Sequence, residues 1–317
     1  MKKISIVVPA HNEEKNIAAL VSELYKLFSN LAYDFECIFV DDGSKDNTLN
    51  EIKIQTEIHP EVHYVELARN FGKDQALQAG IQMATGDAVI TMDADLQHPP
   101  QLITEMVKYW EQDYDVVYTY REKTNAHAKT YQKVSSKLFY KGLNMLSDIQ
   151  LEDGIADFRL LDKKVVQQLR QLNEYEIFFR GMVKWVGFRQ IGIPYNPAER
   201  LSGEASYSFF KLFKLAINSI MSFSVKPLYM VTGVGIVFSV GSLLYIPYII
   251  ISYLLHINVS GWASIIATIA FFGGLQLFVL GIIGMYLGKL FMQAKQRPSF
   301  IIRSANFIKT DYDLVKL

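Results

Sequence analysis

Two carboxylates one residue apart, within Thr91-Met92-Asp93-Ala94-Asp95-Leu96-Gln97-His98-Pro99, are the side chains of this sequence best suited to chemistry. They come just after a short apolar run at 88–90, where a strand would end in a loop. An Asp-x-Asp pair in such a place suits a hard cation, Mg2+ or Mn2+. It leaves the remaining coordination positions to water and to phosphate oxygens. Alone, the same pattern is also that of a turn with solvated acids, so the rest of the chain decides its meaning.

Three further polar stretches have the same setting. Pro9-Ala10-His11-Asn12-Glu13-Glu14 ends the apolar run 4–8, and Asp41-Asp42-Gly43-Ser44-Lys45-Asp46-Asn47-Thr48 ends the run 35–40. Arg69-Asn70-Phe71-Gly72-Lys73-Asp74 follows the run 62–67. Short, continuously apolar, β-branched runs are the pattern of strands buried on both faces. Between the first two, Ile17, Leu20, Val21, Leu24, Leu27 and Phe28 recur at helical spacing, and a helix through Ala84 leads to the fourth run. Strands alternating with helices predict right-handed βαβ units, hence an α/β domain with a Rossmann-like, mostly parallel sheet. Ligands of such sheets bind at the carboxyl ends of the strands, so loops 9–13, 41–46, 69–73 and 93–98 are expected to line one crevice. No strand is followed by Gly-x-Gly-x-x-Gly and no Walker pattern occurs, which argues against a dehydrogenase or a P-loop enzyme. The crevice offers acids for a metal and for a ribose or base, with Lys73 available for phosphate.

Residues 115–119 read as a fifth strand, 174–185 as a helix and 188–193 as a strand. Asp157 opens the strand-like run Asp157-Phe158-Arg159-Leu160-Leu161. On a helix over 129–146, Lys129, Lys133, Lys137 and Lys141 form one basic stripe, either a solvated face or a surface for anionic headgroups. Residues 207–223 carry Phe209, Phe210, Phe213, Ile217, Ile220, Met221 and Phe223 with Lys211 and Lys214 between them, as an interfacial amphipathic helix or a soluble core helix would.

Lys and Arg balance Asp and Glu at 32 each, so net charge indicates no nucleic acid or other charged partner. The charges are unevenly spread. None occurs in 228–255 or in 261–288, and each gap exceeds the roughly 20 apolar residues that span a bilayer. Two transmembrane helices joined by 256–260 are expected, the first holding Pro247, the second Gln276 as a polar group facing protein. Lys211, Lys214 and Lys226 precede the pair, Lys289, Lys295 and Arg297 follow it, and the connection has no Lys or Arg. The positive-inside rule then predicts a multi-pass plasma-membrane protein with its catalytic domain and both termini cytoplasmic. The apolar run after Met1-Lys2-Lys3 is too short for a signal peptide. Cys37 is the only cysteine, which excludes an internal disulfide and a Cys-rich zinc site.

The four loop motifs, in this order, resemble those of the family-2 glycosyltransferases. More narrowly the chain resembles the polyisoprenyl-phosphate glycosyltransferases, the group of dolichol-phosphate mannose synthase and the bacterial undecaprenyl-phosphate glucosyltransferases. The resemblance implies a GT-A type catalytic domain at 1–204, an amphipathic interfacial helix at 205–226, a two-helix transmembrane hairpin at 227–290 and a cytoplasmic tail at 291–317. It also implies roles. Pro9, Ala10, His11 and Glu13 would line the nucleoside pocket, with Asp42 bonding the base or ribose. Asp93 and Asp95 would hold Mg2+ or Mn2+ on the donor diphosphate, with Gln97 beside them and Lys73 reaching the phosphates. Arg121, Lys133, Ser136 and Arg200 would meet the acceptor phosphate. Asp157 would stand near the reacting centre, as base or as a positioning group, so that Asp95, Asp157 and Arg200 form the catalytic set. One departure lies in Arg200-Leu201-Ser202-Gly203-Glu204-Ala205-Ser206-Tyr207, where Ala205 replaces a serine of the family pattern.

The implied activity is inverting transfer of a hexose from a nucleotide sugar, UDP-glucose or UDP-N-acetylglucosamine, to undecaprenyl phosphate for cell-envelope glycosylation. Its alternative is a GDP-mannose-dependent mannose synthase. Two other classes compete. A processive polysaccharide synthase would need more than two spans for a channel, and Arg180-Gly181-Met182-Val183-Lys184-Trp185 only approximates its Arg-Trp motif. A non-enzymatic sensor would not need every metal and donor acid. The hairpin also offers a surface for a homo-oligomer, which lipid could equally cover.

Overall fold

The computed structural model describes residues 1–121, 154–175, 177–196, 221, 224–255 and 261–307. Lys133, Ser136, Arg200, the lysine stripe and nearly all of the 207–223 stretch lie outside the described residues. The chain divides into two compact units, one holding all eight strands, the other the two long apolar helices.

The first unit begins with β1 (Lys3–Ala10), α1 (Ile17–Phe28), β2 (Asp34–Asp41), α2 (Thr48–Ile58), β3 (Val62–Leu67), α3 (Lys73–Met83) and β4 (Ala88–Thr91). Then come α4 (Leu102–Glu111), β5 (Val116–Arg121), β6 (Ile155–Asp162), α5 (Lys163–Gln171), α6 (Phe179–Trp185), β7 (Gln190–Tyr195) and, after the apolar helices, β8 (Ile302–Ala305). The sheet order is β7-β5-β6-β4-β1-β2-β3-β8. As the alternation predicts, β1, β2, β3 and β4 are parallel neighbours. The rest is mixed: β5 pairs parallel with β7, but β6 runs antiparallel between β4 and β5, and β8 antiparallel to β3.

Burial explains the runs. Ile4, Ile6, Val7 and Val8 of β1 are inaccessible, as a central strand covered on both faces requires. α1 buries Ile17, Leu20, Val21, Leu24 and Phe28 on one stripe, on the order of 10 kcal/mol of gross apolar burial. α3 lies close on the sheet because it has Gly80: a Cβ there would be 2.3 Å from Val7 Cγ1. The 174–185 helix is shorter than expected. Phe178 (φ −121°, ψ 88°) is not helical, and coiling begins only at Phe179.

The second unit holds α7 (Lys226–Leu254, 29 residues) and α8 (Trp262–Ala294, 33 residues). At 1.5 Å per residue they are about 43 and 50 Å long, more than a hydrocarbon core of about 30 Å. Both are long and apolar enough to cross a membrane. Large apolar side chains such as Leu244 (71%) and Leu277 (71%) are exposed on them, a pattern that water would penalise and lipid would not. Thr232 and Thr268 donate their hydroxyls to the carbonyls four residues earlier, which satisfies them without solvent. α7 runs through Pro247 uninterrupted. Gln276, expected to face protein, is exposed on α8.

Candidate active site

The carboxyl ends of β1 to β4 lie at one edge of the sheet. A cavity of about 520 Å3 opens there, lined by Pro9, Ala10, His11, Glu13, Asp42, Asn70, Gly72, Lys73, Asp93, Ala94 and Asp95. All four predicted loops contribute to it. At the end of β1, His11 Nδ1–H donates to Asp42 O (2.9 Å) and Asn12 adopts a left-handed conformation, φ 58°. The Asn70 amide stands 3.2 Å from the His11 ring. Asn16 Nδ2 donates to Glu13 (2.5 Å). Burial pushes the Glu13 carboxyl up; that hydrogen bond opposes the shift, and Asp95 and Asp93 add to it.

The β2 and β3 loops are laced together. Both oxygens of Asp42 accept backbone N–H groups, from Phe71 (2.7 Å) and Gly72 (2.9 Å). Gly43 makes this approach feasible: it has φ 63°, and a Cβ would stand 2.5 Å from Asn70 N. Asp42 thus shapes the pocket. A carboxylate has about four acceptor sites, so two remain for a ligand.

On the β4 loop, Leu96 is left-handed (φ 59°), which lets Gln97 N donate to Asp95 Oδ1 (3.1 Å). A non-glycine residue there costs about 1 kcal/mol or more, the sort of strain that collects at functional loops. His98 is buried and stacks on Phe158 at 5.1 Å. Its Nδ1 accepts from Asp93 N (3.1 Å), so the neutral ring turns Nε2–H toward Asp93 Oδ2, 3.9 Å away. Burial holds the His98 imidazole below its ordinary pKa, which outweighs the pull of Asp93.

A charge network lies beside this loop. An antiparallel strand brings its amino end to the edge where parallel strands end, and β6 pairs Thr91 with Arg159. Asp157 therefore reaches the level of Asp93. Lys73 Nζ stands 2.5 Å from Asp93 Oδ1 and 2.8 Å from Asp157 Oδ2. Arg180, from α6, grips both oxygens of Asp157, with Nε 2.6 Å from Oδ1 and Nη2 2.8 Å from Oδ2. Burial would raise the Asp157 pKa, but Lys73, Arg180 and Arg159 hold it well below the usual carboxylate range. Asp74 moves the other way: burial, then the charge of Asp157, raise it to about 6 against Arg180, Lys73 and Arg159. Burial lowers the Arg159 guanidinium to about 10, and its Nη2 has no hydrogen-bond partner among the described residues.

The structure brings the predicted Pro9, Ala10, His11, Glu13, Asp42, Lys73, Asp93 and Asp95 together around one cavity, with Asp157 behind Lys73. Gln97 is buried at 8% exposure and does not line the cavity. Arg121 ends β5 at the same sheet edge, its Nε 3.4 Å from Tyr195 Oη. Asn70, His98, Arg159 and Arg180 were not singled out from the sequence. Arg180 had a faint signal as the arginine five residues before Trp185 in the approximate Arg-Trp motif, but its pairing with Asp157 spans 23 residues and needs the fold.

Asp93 and Asp95 fit a hard divalent ion. Both present carboxylate oxygens at the cavity, and a cation, the Lys73 ammonium, already rests against Asp93. Among the described residues no group of three or more His, Cys, Asp or Glu is arranged around a metal. An ion there would take its other ligands from substrate and water, as magnesium commonly does.

The chain belongs to glycosyl transferase family 2, whose family model matches residues 5–170. It is a glycosyltransferase. An uncharacterized glycosyltransferase of Synechocystis, sll0501, is 39% identical over 301 residues, 95% of this chain and 94% of that protein. The bactoprenol glucosyl transferase of Shigella phage SfV is 36% identical over 303 residues, 95% of this chain and 98% of the phage protein. A prophage bactoprenol glucosyl transferase homolog of Escherichia coli K12 is 34% identical over 302 residues, with 95% and 98% covered.

Proposed function

We propose that this enzyme transfers a hexose, glucose in the first instance, from its UDP-sugar to a polyprenyl phosphate at the cytoplasmic membrane face, with inversion at the anomeric carbon. The observation that carries the reading is the meeting of Asp93, Asp95 and Lys73 with the Pro9–Ala10–His11–Asp42 wall in one cavity. Similarity to bactoprenol glucosyl transferases over 95% of the chain supports a lipid-phosphate acceptor and a glucosyl donor.

In this reading the loops from β1 to β3 hold the nucleoside, with Asp42 and Glu13 offering acceptors to ribose or base. Asp93 and Asp95 would hold Mg2+ or Mn2+. That ion supplies charge neutralisation on the leaving group. Lys73 adds a second positive charge and keeps Asp93 oriented. Arg121, Arg200, Lys133 and Ser136 bind the acceptor phosphate. A phosphate oxygen forms the bond to the anomeric carbon while the bond to the UDP oxygen breaks, and that electron pair leaves with UDP. The nucleophile, with a second pKa of about 6, is already ionised at neutral pH. No strong base is needed, and Asp157 is badly placed to be one: cations occupy both its oxygens. Asp157 instead fixes Lys73 and Arg180 at the reacting centre.

Incubating the purified protein with undecaprenyl phosphate and a panel of UDP-glucose, UDP-N-acetylglucosamine and GDP-mannose tests this. A lipid-phosphate monohexose by mass from UDP-glucose is the expected product. A long glycan, or donor turnover independent of lipid phosphate, would overturn the reading.

A further inference from the structure

The segment that follows α8 returns to the catalytic sheet, beyond the 5–170 stretch matched by the family model. Eight residues after the end of α8 it forms β8 and covers the edge of β3. The pairing is irregular. Glu66 faces Ser304 and Leu67 faces Ile302, so Arg303 is an extra residue opposite the step between them. Such a bulge re-aims the side chain it carries. Arg303 Nη1 lies 2.9 Å from Glu66 Oε1, and Nη2 donates to Ala68 O at 2.7 Å. Ser304 Oγ takes the other oxygen of Glu66 (2.7 Å), and Ala68 N donates to Ile301 O (2.8 Å). Ala68 is thereby held through both its backbone groups by the returning segment.

Ala68 is the last residue before the loop that walls the donor cavity. Arg69 and Asn70 pack against Gly43, Asn70 reaches His11, and Phe71 and Gly72 bind Asp42. Loop position therefore depends on where Ala68 is pinned. Arg303 also sets charge there: Glu66 is 8% exposed and sits across from Asp41, which adjoins Asp42. Without the guanidinium, Glu66 would keep only the Ser304 hydroxyl from β8.

We propose that Arg303 is a positioning residue for the donor loop 69–72, so that the segment after the second apolar helix completes the donor side of the site. The kinetic part of this proposal rests on the donor reading above; the loop-order part does not. The test uses full-length protein in nanodiscs, with Arg303→Ala and Arg303→Lys. Hydrogen exchange is expected to quicken about fivefold at the Phe71 and Gly72 amides in Arg303→Ala, with the Asp95–Gln97 turn unchanged. The Km for UDP-glucose is expected to rise about fivefold, with kcat and the Km for undecaprenyl phosphate within about twofold. Arg303→Lys, whose single ammonium cannot span Glu66 and Ala68 together, should fall between. Unchanged exchange at Phe71 and Gly72 would overturn the proposal, and so would an equal loss in donor and acceptor Km with a lowered melting temperature. If the wild type turns over no UDP-glucose, the donor reading fails, and the exchange measurement still decides the role of Arg303. Should Arg303→Ala not fold, Ser304→Ala, which removes the other β8 bond to Glu66, replaces it with the same expected exchange pattern.

Discussion

Asp157 shows how charge pairing divides roles among carboxylates that lie side by side. Its two oxygens are taken by Lys73 and Arg180, and it stays ionised across the working pH range because its folded pKa is depressed. The stability it contributes is present above about pH 4 and is lost only as pH falls through that lower value. Asp157→Asn would leave two cations short of a partner and should cut kcat by about a hundredfold or more. The acid limb of the wild-type kcat profile should follow the phosphate acceptor near pH 6; a limb that disappears in Asp157→Asn would restore the general-base role. Asp95 is different, because in the proposed mechanism it would hold the ion. Asp95→Ala should abolish transfer and weaken Mn2+ binding in the presence of UDP, read by electron paramagnetic resonance, with insertion and melting temperature near wild type. Full activity in excess chelator would sink the metal assignment. Asp74 titrates the other way. With its folded pKa raised to about 6, the stability it gives is complete below about pH 4 and is lost as pH rises through 6. The melting temperature of the wild type should therefore fall between pH 5 and pH 7 relative to that of Asp74→Asn, and parallel curves would refute the shift.

At the level of elements, α3 connects the core to the site, because Lys73 begins it and Gly80 seats it on Val7 and Val40. Gly80→Ala must displace the buried Val7 side chain. It should lower stability by about 1–3 kcal/mol and weaken nucleotide binding with it, measured as melting temperature and UDP affinity on the same sample. A variant as stable as wild type would show that α3 is less tightly seated. The elements also explain what could be read from residues alone. The runs at 4–8, 35–40, 62–67 and 88–90 are mainly apolar and β-branched or aromatic, interrupted only by Ser5, Glu36, His63 and Glu66, which marks them as strands of a covered sheet, and the loops after them were expected to meet. Other features had no such local sign. β6 looked like one more strand, yet its direction is fixed by pairing with β4 and β5, and that reversal delivers Asp157 beside Lys73. β8 is four residues within what was expected to be a tail at 291–317, and it is a strand because β3 offers an edge. Arg180 and His98 act through partners supplied by distant or buried groups, so their roles are tertiary.

For the whole molecule, the decisive question is which side of the membrane each part occupies. The two apolar helices are both longer than a bilayer core is thick, and the connection between them, 256–260, has no Lys or Arg, whereas lysines flank the pair on its other side. The proposed reaction, between a lipid phosphate at the membrane surface and a cytosolic donor, requires the catalytic sheet to be cytoplasmic. Because β8 returns to the same sheet as β1 to β7, the two helices either both cross or neither does. Cysteine labelling can test this cleanly because the one native thiol, Cys37, is buried within β2 and burial pushes its pKa up. A membrane-impermeant maleimide added to intact cells should label Asn258→Cys, in the connection. It should label Lys309→Cys, after β8, only once the membrane is opened. Labelling of both from outside, or of neither before lysis, would rule out a two-span hairpin in this orientation and with it a cytosolic donor for the reaction.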